Sequence, residues 1–217
     1  MKLFCCGNNQ VLASRLLKLE ILTSLCCKDN IESILKELQI YVKDKSVKFV
    51  CTSIRAIGRV ADAAVDSDGS TVDSDFSVAI ANACMEGLMH LLICSRLVVS
   101  QHRYELIIVI LPFADSGKSD TIVAECVVVL RQLLQQNASS AQNSVCVKTL
   151  RQLAKLLIVK NGIESEPVAR SSVVWLVGEF QHLLDGAAPD ILRILAAGFI
   201  GALVLLTVRA HYSDCRV

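Results

Sequence analysis

FVCTSIRAI at 49–57, IVAECVVVL at 122–130 and VARSSVVWL at 168–176 share one pattern within this chain of 217 residues. Each stretch opens with two apolar residues, continues with small or polar residues and closes with an apolar run. Apolar residues that recur every three or four positions are typical of a helix that buries one face. The pattern therefore predicts a row of related helices that pack against one another.

The spacing between the three stretches indicates the kind of repeat. Ile122 and Val168 are 46 residues apart, which matches the period of two-helix HEAT or armadillo repeats, about 40–47 residues. Phe49 and Ile122 are 73 residues apart, which is about half a repeat too long. The 25 residues 93–117 are rich in Val and Ile, are β-prone and follow no helical stripe, and the spacing without them is 48. We therefore predict an all-α solenoid of HEAT- or armadillo-like helix pairs, with an atypical insert at 93–117.

Helical stripes extend over most of the remaining chain. They predict helices at 11–27, 31–43, 46–61, 76–92, 119–136, 144–158 and 166–184, and a last helix from Pro189 to about Leu195. Asn30 is the expected N-cap of the helix at 31–43, and Ser165 and Pro167 are expected to begin the helix at 166–184.

Two of these helices have stripes that predict their surroundings. The helix at 119–136 carries two apolar stripes, and a helix that is apolar nearly all round is buried between neighbours. Its stripes are Ile122, Cys126, Val129 and Leu133, and Val123, Val127, Leu130 and Leu134. In the helix at 166–184 the residues predicted to face inward are Ala169, Val173, Leu176, Phe180 and Leu183.

Composition and charge exclude several classes of protein. Apolar residues make up 53% of the chain, and only ten Gly and three Pro are present, which argues against a β-sandwich with many turns. A net charge of +1 provides no strong field to attract nucleic acid. No set of acid, base, nucleophile or metal ligands stands out. We expect no enzyme, no catalytic, cofactor-binding or metal-binding residues, and no small-molecule substrate.

The cysteines indicate a reducing compartment. None of the ten belongs to a C-x-x-C pair, and several lie inside apolar helical runs, where Cys behaves as a small hydrophobe. The residues after Met1 are too polar for a signal peptide. We therefore predict reduced core thiols in a cytosolic protein, rather than a disulfide or metal framework. The cysteines are Cys5, Cys6, Cys26, Cys27, Cys51, Cys84, Cys94, Cys126, Cys146 and Cys215.

Two stretches resemble ligand-binding loops only in part. If Gly69 took the glycine position of a calcium loop, the first ligand would be Ala64 and the last Asp75 rather than Glu, so 65–74 is predicted to be a solvated loop between repeats. The GKS at 117–119 would need a glycine at the position of Pro112 to form a phosphate-binding loop.

Isolated polar and aromatic residues also favour structural roles. His90, His102, His182 and His211 have no second metal ligand at a suitable spacing, and no Cys has a recognisable context for a Cys–His nucleophilic pair. Asn137 begins a glycosylation sequon that is expected to be a turn between helices. Trp175 is expected in the core rather than on a binding surface.

The order of several stretches is similar to that of a known family. They are LKLEILT at 17–23, ILKELQIYV at 34–42, IRAIGR at 54–59, TIVAECVVVL at 121–130 and PVARSSVVWLVGE at 167–179. Together they resemble the trunk of the beta-type large chains (beta-adaptins) of clathrin-associated adaptor complexes. APDILR at 188–193 is most similar to the beta-type chain of adaptor protein complex 3. The resemblance covers about residues 14–92 and 118–199.

The resemblance implies an interaction scaffold without catalytic residues. It implies a partial adaptin trunk at 1–199 that helps to enclose the medium and small chains of the complex beside the second large chain. Such complexes select membrane cargo for vesicle-mediated protein transport. The expected location is the cytoplasm, with peripheral association at Golgi and endosomal membranes and coated vesicles.

Two segments depart from the family pattern. The insert 93–117 and the divergent apolar tail 200–217 have no recognised counterpart in it. We hypothesise that both derive from retained intron sequence or from an alternative transcript. Transcript reads across both junctions test this origin, and spliced reads that always encode both stretches would contradict it. An alternative is a small tail-anchored membrane protein, because 194–208 is uncharged, although a span needs about 20 apolar residues.

Overall fold

The computed structural model describes residues 11–65, 74–97, 116–137, 144–158, 163 and 166–196. Within these ranges every regular element is a helix, as the sequence predicts. The helices are α1 (Leu12–Ser24), α2 (Ile31–Tyr41), α3 (Val47–Val65), α4 (Ser74–Leu97), α5 (Ser116–Asn137), α6 (Ser144–Ile158), α7 (Pro167–Glu179), a 3-10 turn (Gln181–Leu183) and α8 (188–196).

The helices stack in two rows. In the first row α1 contacts α3, α3 contacts α5 and α5 contacts α7. In the second row α4 contacts α6, and α4 also lies against both α3 and α5. The side-chain contacts Arg55–Glu125 and Asp62–Gln132 advance together along α3 and α5, so these two helices run parallel. Parallel stacking of successive helix pairs is the arrangement of an α-solenoid, which confirms the predicted fold class.

The three related stretches occupy the same register in α3, α5 and α7. Four aligned positions are buried in all three helices and form the continuous core of the stack. These positions are Val50, Val123 and Ala169, then Ser53, Cys126 and Ser172, then Ile54, Val127 and Val173, and finally Ile57, Leu130 and Leu176. The sequence repeat therefore corresponds to a structural repeat.

The prediction that the helix at 119–136 is enclosed on several sides is confirmed. All eight residues of its two apolar stripes are at most 3% exposed. This helix, α5, has α3, α4 and α7 as neighbours. Its polar side chains therefore lie at the edges of these three contacts.

The helix predicted at 166–184 is shorter than expected. It ends at Glu179, and the 3-10 turn follows because Leu183 N–H donates to Phe180 O, three residues back. The chain then turns through Asp185 and Gly186, which have φ angles of 47° and 78°. Phe180 and Leu183 are therefore only partly buried, and they pack against the core from outside the helix.

Both predicted helix starts have details that the sequence pattern did not show. Asn30 is the N-cap of α2, but its side chain turns back: it accepts from Cys27 N–H and donates to Leu25 O. It thereby closes the turn between α1 and α2. At α7 the N-cap is Glu166 and Pro167 is in the first turn, while Ser165 lies outside the described residues.

The proposed insert begins inside a helix. The helix α4 continues to Leu97, so 93–97 is helical, and α5 already includes residues 116 and 117. The helices predicted at 76–92 and 119–136 therefore extend further than expected, into both ends of 93–117. Residues 98–115, the loop 66–73 and the tail from 197 onwards lie outside the described residues.

One helix in the described ranges is long and apolar enough to cross a membrane by length and composition alone, namely Asp75–Cys94 within α4. Met85, Leu88 and Leu92 of this helix are buried in the protein core, whereas Leu91 and Ile93 are only partly buried. Since α4 packs against both α3 and α5, burial inside the solenoid accounts for part of this apolar composition.

Candidate partner-binding surfaces

The contact between α3 and α5, which we call the closed seam, is tight at its centre. A Cβ added to Gly58 would lie 3.0 Å from Val129 Cγ1, so the backbone of α3 approaches the side chain of α5 directly. Val129 is only 3% exposed as a result. A small residue at such a position allows two helices to approach closely.

Polar pairs flank this close approach on both sides. Arg55 Nε donates to Glu125 Oε2 at 2.8 Å, and the two side chains form an ion pair. Two turns further along, Asp62 accepts hydrogen bonds from Gln132 at 2.6 Å and Gln136 at 2.9 Å. These pairs lie along the outer edge of the closed seam, where they fix the register of α3 against α5.

The contact between α5 and α7, which we call the open seam, is built differently at the same positions. Arg131 is at the position of Gly58, and Trp175 is at the position of Val129. The Arg131 guanidinium lies over the Trp175 ring, 5.5 Å from its centroid. Trp175 is 42% exposed, so the expectation that it belongs to the core is wrong. Two bulky side chains therefore stand here in place of Gly and Val, and the ring between them is exposed at the outer edge of the seam.

A second candidate surface is an apolar groove between α2 and α4. It encloses a cavity of about 80 Å³, and Gly87 leaves part of its wall open because a Cβ there would meet nothing within 4 Å. Its lining residues are Leu35, Gln39, Val42, Ile57, Ala83, Cys84, Gly87, Leu88 and Leu91. The groove is large enough for one apolar side chain and offers a single polar side chain, Gln39.

The outer face of α1 is a third apolar surface. Leu17, Ile21 and Leu25 lie one turn apart on it and are all exposed. The corresponding inner stripe, Leu19 and Leu22, is buried against the rest of the stack.

Four of the seven cysteines in the described part of the chain are core residues, in line with the prediction of core thiols. Cys51, Cys84, Cys126 and Cys146 are buried free thiols, Cys26 and Cys94 are partly buried, and Cys27 is exposed. Burial raises the pKa of Cys84 to about 12. Burial, together with the nearby Glu125 charge, raises the pKa of Cys51 to about 11. Cys5, Cys6 and Cys215 lie outside the described residues.

The other residues singled out from the sequence are dispersed. His90 is exposed on α4 beside Cys94, with its Nδ1 3.7 Å from the sulfur, and His182 is exposed in the 3-10 turn. Among the described residues no group of three or more metal-ligating side chains comes together. His102 and His211 lie outside these residues.

Two of the sequence motifs lie at the ends of α5. Residues 117–119 belong to the first turn of α5 rather than to a loop. Asn137 is the last residue of α5, and its buried side chain donates to Leu133 O at 2.8 Å. A glycan on this nitrogen would have to displace that hydrogen bond.

Comparison with known proteins places the chain in a family. The model of the adaptin N terminal region matches residues 1–210, so the chain belongs to the adaptin N-terminal family. It is 32% identical over 185 residues to a mouse protein named AP-3 complex subunit beta-2. The aligned region covers 85% of this chain and 13% of that protein. It is 32% identical to AP-3 complex subunit beta of Dictyostelium discoideum, over 84% of this chain and 16% of that protein.

Two relatives named as AP-1 beta subunits are more distant, at 24% and 26% identity. The mouse AP-1 complex subunit beta-1 is 26% identical over 92% of this chain and 16% of its own length. No solved structure matches the chain. The chain therefore resembles AP-3 beta subunits more than the AP-1 beta subunits, and it spans about 13% of the length of the first of them.

Proposed function

We propose that this chain is a scaffold segment of a beta-type subunit in a vesicle-coat adaptor complex. The observation that carries the proposal is the continuous stack α1, α3, α5 and α7 in a chain that matches the adaptin N-terminal family over residues 1–210. A stack of helix pairs presents a long surface for partner proteins and needs no catalytic cleft. The described surfaces fit this role because they are apolar faces and seams rather than clusters of reactive groups.

The relatives support a finer assignment. AP-3 beta subunits from mouse and Dictyostelium are about equally similar to the chain, which favours an AP-3-type complex over an AP-1-type complex. The proposed partners are the second large chain, the medium chain and the small chain of that complex. The proposed location is the cytoplasmic side of Golgi and endosomal membranes, where the complex would sort cargo into vesicles. The proposed organisation is a trunk segment at 1–199 that precedes an apolar tail at 200–217.

Co-purification tests the proposed subunit contacts. The tagged chain is co-expressed with the medium chain of an AP-3-type complex, and the retained medium chain is quantified after purification. We expect retention by the unchanged chain and by Arg59→Gln, which changes an exposed arginine of α3. Val129→Asp should abolish retention, because it buries an unpaired carboxylate in the closed seam.

Two further results would decide against the proposal. If the chain is helical and monodisperse but retains no medium chain, while a longer adaptin trunk retains it, this segment does not make the contact. If sodium carbonate leaves the chain in the membrane fraction of cells, the tail-anchored alternative with a span at 194–208 replaces the peripheral coat role.

A further inference from the structure

The open seam differs from the closed seam at every outer position. In the closed seam Arg55 pairs with Glu125, and the aligned positions in the open seam are Val128 and Ser171. The Ser171 hydroxyl instead donates to Val168 O within its own helix. The outer edge of the open seam therefore lacks the ion pair that fastens α3 to α5.

The second polar contact of the closed seam is also missing. Asp62 and Gln132, which bond to each other there, align with Gln135 and Gly178. Gln135 is exposed, and a Cβ added to Gly178 would meet nothing within 4 Å. We call this outer edge the notch: the exposed Trp175 ring and the open position at Gly178 lie on α7, and Arg131 and Gln135 lie on α5.

The Trp175 ring is held in place from two directions. The Arg131 guanidinium covers one face, and Phe180 meets the ring edge to face, with centroids 6.4 Å apart and planes at 90°. Val168, two turns earlier on the same face of α7, is 53% exposed and extends the apolar surface. An aromatic ring whose orientation is fixed before binding loses little conformational freedom when a partner packs on it.

The charge at the notch indicates what would fill it. In the described part of the chain, the other arginines that contact a neighbouring element have a carboxylate partner: Arg15 with Asp44, Arg55 with Glu125 and Arg151 with Asp185. Arg131 is different, because within that part of the chain it contacts the ring of Trp175 instead. It forms no ion pair with Glu179 or with any other described acid. Trp and Arg are also the residue types enriched where binding energy concentrates in protein interfaces.

We propose that the notch of Arg131, Trp175, Gly178 and Val168 binds an acidic, amphipathic segment of a partner protein. A carboxylate of that segment would pair with Arg131, and an apolar side chain would pack on Trp175 and Val168 above the open space at Gly178. Gly178 favours this because any larger residue would occupy the space beside the ring. The carboxylate of the segment would pair with Arg131 as Glu125 pairs with Arg55 in the closed seam.

Trp175 is the single tryptophan of the chain, so its fluorescence reports on the notch directly. The probes are two labelled 14-residue amphipathic peptides, one of Glu, Ala and Leu and one with Lys at each Glu position. We expect the acidic peptide to bind the full chain, to shift the Trp175 emission to shorter wavelength and to protect it from acrylamide quenching. The Lys peptide should bind at least tenfold more weakly. Equal binding of both peptides, or binding without any change at Trp175, would overturn the proposal.

Variants locate the binding to these side chains. Arg131→Gln should weaken the acidic peptide about tenfold, which corresponds to about 1.4 kcal/mol, whereas Arg59→Gln, the same change on exposed α3, should leave affinity unchanged. Gly178→Leu should also weaken binding, by filling the space beside the ring. Unchanged affinity in Arg131→Gln would refute the role of its charge. Should that variant lose helicity, the comparison of the two peptides on the unchanged chain remains decisive.

Other occupants give different results. A second copy of the chain at the notch would produce a dimer by light scattering that the acidic peptide does not dissociate. Anionic phosphatidylserine vesicles that bind through Arg131 and Trp175, while the acidic peptide does not bind, would point to a membrane surface. Either result would overturn a peptide-binding notch. Failure here leaves the scaffold role intact, because retention of the medium chain tests that role separately.

Discussion

Arg15 of α1 and Asp44, in the turn between α2 and α3, form a buried ion pair that ties three helices together. The guanidinium also lies 4.0 Å above the centre of the Phe49 ring in α3, and that ring packs against Tyr41 of α2. Asp44 in turn accepts from Ser46 N–H at 2.8 Å, just before α3 begins. One arginine thus holds α1 against the start of α3 and the end of α2.

Removal of Asp44 should strongly destabilise the chain. Asp44→Ala leaves the Arg15 charge buried without its carboxylate, which costs about 3–5 kcal/mol of unfolding free energy in buried pairs. Glu32→Ala is the matched control, because Glu32 and Lys36 form an exposed pair on α2, and such pairs contribute about 0.5 kcal/mol or less. Urea unfolding followed by circular dichroism measures both. Equal losses in the two variants would show that the buried pair does not stabilise the stack.

The same pair should make stability depend on acidity. Burial alone would raise the pKa of Asp44, but the hydrogen bonds from Arg15 and Ser46 and the Arg15 charge hold it below its ordinary value of 3.8. A carboxyl whose pKa is lower in the folded state contributes stability above the unfolded pKa and loses it as pH falls through the folded pKa. Unfolding free energy should therefore fall below about pH 4, and Asp44→Asn should flatten that part of the curve.

A change from glycine to leucine should have opposite effects on stability at Gly58 and at Gly87. Gly58→Leu forces a side chain into Val129 and should cost about 1–3 kcal/mol. Gly87→Leu adds the same side chain at an exposed helical position with open space, and replacing glycine within a helix should gain about 0.5 kcal/mol or more. Thermal unfolding compares them. A stabilised Gly58→Leu variant would mean that α3 and α5 are further apart than described.

The two seams predict unequal effects at aligned positions. Asp62→Ala removes the acceptor for Gln132 and Gln136 and should cost about 1 kcal/mol, given that the site is partly exposed. Gln135→Ala changes the aligned residue of α5, which is exposed, and should stay within about 0.5 kcal/mol of the unchanged chain. Chemical unfolding measures both changes in unfolding free energy. A larger loss for Gln135→Ala than for Asp62→Ala would contradict the difference described between the open and the closed seam.

Thiol labelling should separate surface from core cysteines. Among the described cysteines, Cys27 is exposed and should react fastest with iodoacetamide at pH 8, whereas buried thiols such as Cys51 and Cys84 should react much more slowly. Raising the pKa of Cys51 to about 11 from the ordinary 9.0 also lowers its thiolate fraction at pH 8 by about a hundredfold. Mass spectrometry of peptides gives each rate, with labelling in urea as the control. Cys84 reacting as fast as Cys27 in the folded chain would contradict the packing of α4.

Much of the fold could be predicted because helical periodicity shows which side of a helix is buried. The aligned stretches in α3, α5 and α7 predict a repeating stack, and the eight residues of α5 that the stripes place inside are buried. The end of α7 could not be predicted in this way, because Phe180 and Leu183 continue the apolar pattern through a 3-10 turn.

The candidate binding surface was missed for a different physical reason. Trp175 lies on the predicted apolar pattern, but its exposure depends on the residue that faces it from α5. Periodicity within one helix carries no information about the distance to the next. A comparison between repeats would have indicated it, because Gly58 aligns with Arg131 and Val129 with Trp175.

The difference in side-chain size between successive contacts has a mechanical consequence. Gly58 lets α3 and α5 meet closely, whereas the bulky Arg131 and Trp175 face each other at the same positions of α5 and α7. Successive contacts in the stack are therefore not identical. We expect the size of one or two side chains at each contact to set the local curvature of the superhelix.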